Sequence, residues 1–315
     1  MLIDRVGEAL RPEQIIFSKL SIAQPATLSL PLLLRVRKEI KKNKADVLHL
    51  HDAALIPLGV VIGKSCLMKV VATIYDVPTK KVGGWWLGAL DRIIFNSQYT
   101  RDQFQYRYGL KARQYSIIPC AALEEELPLS PLSREELQIT ADSFIVASIG
   151  PLERTEDPIT LLKAVRKLQK KNAKVALLMT GDGPMKSEVE KFINEEGLQP
   201  SVKMLNGKID PRRLLSLADV YVTSCFGYSK EEQILQAMAR RKPVIATKIF
   251  NHQELIDDGR TGILVPCGYP ERIETAIMRF TIKKDELQAM GQAAGEFAAR
   301  NFSVLPIARQ YQQVY

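Results

Sequence analysis

The sequence predicts an α/β protein of two successive domains, each a doubly wound parallel sheet with helices on both faces. Three observations carry this. Continuous apolar runs of strand length alternate with helical patterns along the chain. The alternation restarts after an acidic, proline-bearing stretch, Glu124–Thr140. And 315 residues suffice for two domains of ordinary size.

In the first block the strand candidates are Asp46–His51, Lys69–Tyr75, Arg92–Ser97 and Tyr115–Cys120. Each is a short apolar run rich in Val and Ile. A helix is predicted over Leu32–Lys44, where Leu32, Val36 and Ile40 share one face. The second block alternates more regularly. Its strands are Phe144–Gly150, Lys174–Gly181, Val202–Gly207, Val220–Ser224 and Pro243–Thr247. Helical segments Pro158–Lys171, Met185–Glu196, Pro211–Leu217 and Glu231–Ala239 separate them. Two such blocks imply a cleft between them, with ligands at the carboxyl ends of the strands.

Composition narrows the function classes. The chain is 46% hydrophobic and 25% charged, as in globular proteins, and no apolar run has the length of a membrane span. A net charge of +9 spread over both halves suits an anionic ligand or a membrane surface, and is too diffuse to argue for nucleic acid. Four scattered cysteines without metal-ligand spacing read as reduced thiols of a cytoplasmic protein. The run "GVVIGKS" has one residue too few for a phosphate-binding loop and sits in an apolar helical pattern, so it is discounted. The basic run Arg35–Lys44 and the adjacent Trp85 and Trp86 suit either a peripheral membrane contact or ordinary surface and packing roles.

Five stretches of the second block resemble, in order and spacing, the C-terminal domain of family 4 glycosyltransferases of the GT-B fold. They are "SIGPLERTEDPITLLKA", "LLMTGDGPMKSEVEKFINEEGL", "VKMLNGKIDPRRLLSLADVYVTS", "ILQAMARRKPVIAT" and "QELIDDGRTGILVPCGYPERI". The first block is compatible through "ADVLHLHDA", "VVATIYD", "LDRIIFNSQYTRDQF" and "YSIIPCAAL". The resemblance implies two Rossmann-like domains facing across a cleft: residues 1–140 on the acceptor side, residues 141–300 holding a nucleotide-sugar. Residues 301–315 are expected to pack back on the first domain. A domain of this type opens with a strand, a Gly-rich turn and a helix, whereas the first strand here arrives at Asp46. The N-terminal domain is therefore expected to lack its first strand–helix unit, so that the true start lies upstream, the chain is a fragment, or a protein partner covers the gap.

The implied reaction is a retaining sugar transfer from a nucleotide-diphosphate donor, with no bound metal and no other cofactor. A positioned Arg and Lys then stabilise the departing diphosphate. At their positions this chain has Pro151 and Glu156, with Arg154 between them as the candidate replacement. The carboxylate pair that grips sugar and ribose maps to Tyr228 and Gln236. An alternative register gives Ser224 and Glu232, and Glu232 also reads as a first-turn helix acid. The family's His near the reacting sugar maps to Tyr75, and its Gly-Gly loop to Phe250 and Asn251 with Glu254 retained. Further donor-binding candidates are Gly150, Gly181, Gly183 and Gly207, which serve a turn as well as a ligand. On the acceptor side His51 and Asp52 are the candidates, on the expectation that only one of His49 and His51 faces the ligand. Two functions follow: a glycosyltransferase, with a lipid-linked acceptor at the inner membrane face as one candidate, or a non-catalytic scaffold for an active transferase.

Overall fold

The computed structural model describes residues 34, 36–38, 40, 42, 45–76, 82–109, 115–122, 132–205, 209–227 and 231–315. Contacts divide the chain into two compact units, Met1–Ala121 with Val304–Tyr315, and Ala122–Ser303. The sequence placed the boundary after residue 140; it falls at Ala121 because the segment before the second block belongs to that block. Arg134 Nη1 donates to the Ser143 carbonyl at 2.8 Å, and Leu132 and Ile139 are buried. The expected loss of a first strand–helix unit concerns positions outside the described residues.

In the first unit, β1 (Val47–Leu50), β2 (Lys69–Ile74), β3 (Arg92–Phe95) and β4 (Tyr115–Ile117) form a parallel sheet in sequence order. Period-2 alternation divides their side chains between two cores. Val70, Ala72, Ile74, Ile93 and Phe95 face helices α1 (Ile56–Ser65), α2 (Gly84–Gly88) and α3 (Gln98–Tyr108), meeting Ile56, Val60, Leu87 and Phe104. Val71 and Ile94 point the other way, with Ile118 and Ala121 beside them. There they meet Ile307 and Tyr311 of the last helix, Val304–Val314. The run "GVVIGKS" lies in α1, and its glycines face the sheet: a Cβ on Gly59 or Gly63 would strike Leu50 or Val70. Helical residues between 34 and 42 pack on α1 through Val36 and Ile40.

The second unit holds β5 (Phe144–Ile149), β6 (Val175–Thr180), β7 (Val202–Leu205), β8 (Val220–Thr223), β9 (Val244–Thr247) and β10 (Gly262–Val265). The order β10-β9-β8-β5-β6-β7 is all parallel and doubly wound. β10 was not legible as a strand: its four residues follow a turn with no preceding apolar run. The connecting helices are α4 (Pro158–Lys170), α5 (Lys186–Glu195), α6 (Pro211–Leu217), α7 (Glu231–Ala239), α8 (Phe250–Leu255) and α9 (Pro270–Ile282), followed by α10 (Lys284–Phe302) and the last helix, α11. α4 starts where Asp157 caps it, accepting from the Thr160 amide at 3.3 Å, with Pro158 in the first turn. Its face of Leu161, Leu162, Val165 and Leu168 is fully buried in the core. Among the described residues no helix is long and apolar enough to cross a membrane.

Burial also makes the fold acid-sensitive. It pushes His49 down from 6.5 to about 3, His51 to about 4 and His252 to about 4. The unfolded chain protonates these rings near pH 6.5 and the folded one only well below, so stability present above pH 6.5 falls as pH drops towards 4. Urea unfolding of His49→Gln should lose about 2–3 kcal/mol less than wild type between neutral pH and about pH 4.5. An equal pH slope in the two proteins would count against this account.

Candidate functional site

Winding in the second unit reverses between β5 and β8, and the crevice outside their carboxyl ends is the natural ligand site. A small pocket occupies it, lined by Gly150, Pro151, Glu156, Thr180, Thr223 and Ser224 among others. The loops after β5 and β6 are joined into one rim. The Gly150 amide donates to Thr180 O at 3.2 Å, Leu152 N to Asp182 O at 2.9 Å, and Met185 N to Leu152 O at 2.9 Å. Such close approach demands glycine. Gly181 has φ +156°, and a Cβ there would fall on the Gly150 carbonyl; Gly183 has φ +153°, and its Cβ would sit 2.6 Å from Leu152 O. Gly181→Ala should therefore destabilise the unit by about 3 kcal/mol or more, seen as a lower unfolding midpoint. A midpoint equal to wild type would show that the rim relaxes freely.

A second strap runs from the end of β8. Ser224 Oγ donates to the Asp157 carbonyl at 2.7 Å and to that of Glu156 at 3.1 Å, and the Phe226 amide donates to Thr155 O at 2.9 Å. The turn Arg154–Glu156 is thereby held over the crevice, and Asp157 takes a left-handed φ of +46°. Ser224 thus works as a pin for this loop. Glu156 lines the pocket half-buried, with Oε2 3.7 Å from where a Cβ on Gly150 would stand. Burial first, and then the Glu156 charge, raises the Tyr221 hydroxyl and pushes the Cys225 thiol up to about 12. Arg154 is exposed and is not one of the residues lining the pocket.

On α7, Gln236 is 8% exposed, and its Nε2 donates to Glu232 Oε1 at 3.0 Å. Glu254 is exposed on α8. Phe250 is 70% exposed while Asn251 and His252 are buried, so the ring at the family's first glycine position points outward. Gly207 and Tyr228 lie outside the described residues.

Sequence reasoning missed the threonines. β6, β8 and β9 each end on one, and Thr180, Thr223 and Thr247 are all buried at the carboxyl edge. The signal was present in "LLMT", "VYVT" and "VIAT". Beyond Thr247, His252 is fully buried; its Nδ1 donates to Thr247 O at 2.8 Å, and its Nε2 meets no hydrogen-bonding group.

In the first unit His49 and His51 stand together, against the expectation that only one faces the ligand side. Residues two apart on a strand share a face, and the rings are 4.2 Å apart between centroids. His51 Nδ1 shares a hydrogen bond of 2.8 Å with the Tyr75 hydroxyl, and His51 Nε2 is buried without a partner. His49 bonds Thr73 Oγ1 and the Tyr315 hydroxyl, each at 2.7 Å. Asp52 is committed locally, accepting from the Ala54 amide at 2.8 Å. Burial raises the Tyr75 hydroxyl far above neutrality, so it stays protonated and can donate.

Two parallel α/β units, one doubly wound with a pocket at its reversal point, define a GT-B protein. The chain belongs to the glycosyl transferases group 1 family, whose profile it matches over residues 130–297; residues 5–122 match glycosyltransferase family 4. It is 28% identical over 241 residues to D-inositol 3-phosphate glycosyltransferase of Corynebacterium kroppenstedtii, covering 71% of this chain and 53% of the relative. It is 26% identical over 192 residues to the putative glycosyltransferase EpsD of Bacillus subtilis, covering 60% and 50%. The chain thus spans about half the length of the curated relatives it matches. Among solved structures, Anabaena HepE with UDP and glucose superposes with a TM-score of 0.77 at 20% identity, over 95% of this chain and 84% of that one. A glycosyltransferase of Rickettsia africae superposes at 0.79 with 19% identity, over 98% and 86%.

Proposed function

We propose that the protein is a glycosyltransferase that takes a nucleotide-diphosphate sugar in the second unit and transfers the sugar with retention of configuration. The observation that carries this is the pocket at the β5–β8 reversal, rimmed by the close-packed glycine loops. Family membership supports it, as does the UDP and glucose held by a protein of the same fold. In this reading the backbone of Gly150, Gly181 and Gly183 borders the diphosphate. Gln236 on α7, with Glu232 beside it, meets the ribose, Glu254 the sugar, and His51 with Asp52 and Tyr75 serve the acceptor side. No metal or other cofactor takes part. The acceptor is lipid-linked, and transfer takes place at the cytoplasmic face of a membrane.

One observation favours a second reading. Glu156 puts a negative charge in the pocket where the resemblance expects a lysine, which suits a non-catalytic partner of an active transferase. Calorimetric titration with UDP-, GDP- and ADP-sugars, coupled to detection of released nucleotide, separates the two. Saturable binding with turnover supports the transferase. Binding without turnover over a panel of acceptors supports the scaffold, and no heat with any donor overturns the transferase reading alone.

A further inference from the structure

The Gln236 side chain is nine-tenths buried, yet its carbonyl oxygen Oε1 has no hydrogen-bonding partner. Leaving such an oxygen dry is unfavourable, so an orphan of this kind calls for an explanation. The way round of an amide is normally ambiguous, but here chemistry decides it. Glu232, one turn earlier on α7, ends 3.0 Å away, and a carboxylate only accepts. The amide must therefore turn its NH₂ to Glu232 and its oxygen away. Arg240, one turn later, donates to the Gln236 backbone carbonyl at 3.1 Å and leaves the side-chain oxygen untouched.

We propose that Glu232 is a positioning residue which fixes the Gln236 amide so that Oε1 alone is presented to a ligand, selecting a group that donates a hydrogen bond. On the reading given above, on which this rests, that group is a ribose hydroxyl of a nucleoside diphosphate. The pair also accounts for the amide itself. A glutamate at position 236 would set two carboxylates about 3 Å apart, and both cannot stay ionised. Glutamine keeps one negative charge in the pair and one oriented acceptor.

The test is calorimetry on the full chain with UDP, GDP and ADP and with their 2′-deoxy and 3′-deoxy counterparts. Wild type should bind one ribonucleotide about tenfold more tightly than a deoxy counterpart. E232A should bind the ribonucleotide about as weakly as the deoxy compound, because its amide is free to flip. Q236E should bind about tenfold better near pH 5.5, where one proton is shared, than near pH 8, and Q236E combined with E232Q should lose that dependence. Wild type that binds no nucleotide overturns the donor site and this inference together. Binding without deoxy discrimination, or discrimination that survives E232A, overturns the inference alone. If E232A does not fold by circular dichroism, the pH profile of Q236E decides: a flat profile overturns it.

Discussion

Replacing Glu156 by lysine is expected to raise affinity for a nucleoside diphosphate by one to two orders of magnitude. Glu156 lines the pocket beside Gly150, and its charge is felt by Tyr221 and Cys225. Two unit charges ~4 Å apart interact by about 4 kcal/mol at an effective dielectric near 20, and the swap turns repulsion into attraction. Screening and a longer reach reduce this, leaving about 10- to 100-fold by calorimetry. The gain should shrink as salt is added. A folded Glu156→Lys variant whose nucleotide affinity stays level would mean the diphosphate does not lie beside residue 156.

The second large effect concerns α11. Ile307 is fully buried between this helix and the β2–β3 face, against Val71, Ile94 and Ile118. Ile307→Asp would bury a charge with no partner, a change that destabilises by about 4 kcal/mol or more. Denaturant unfolding should then separate into two transitions, the first unit melting early and the second near its original midpoint. Leu305→Asp is the comparison, since Leu305 on the same helix is 54% exposed and should change little. A single unshifted transition for Ile307→Asp would show that the helix does not stabilise the sheet.

Much of the fold was legible because parallel strands buried on both faces read as unbroken apolar runs. "KVALLMTG" and "KVVATIY" gave β6 and β2 within a residue or two. What escaped depends on contacts distant in sequence. β10 is short and takes its identity from pairing with β9. The boundary at Ala121 depends on Arg134 reaching the start of β5, which no composition shift announces. For the site, the glycine rim was visible as "GDGP", and the structure supplies its reason in loop-to-loop approach. The Ser224 pin was not visible, because a serine that bonds a backbone turn 67 residues away looks the same in sequence as one that bonds a ligand. The histidine pair was misjudged on geometry alone, since strand period 2 puts residues 49 and 51 on one side.

Because α11 completes the first unit, that unit is written in two pieces with the whole of the second unit between them. On the ribosome, the four strands β1–β4 emerge early, but the helix that covers Val71 and Ile94 follows roughly 180 residues later. At 5–20 residues per second the face waits about 10–40 s. The second unit, being continuous, can fold within that interval. Order of birth therefore runs opposite to order in sequence. The waiting sheet face, rather than the finished molecule, is where a chaperone has the most to shield.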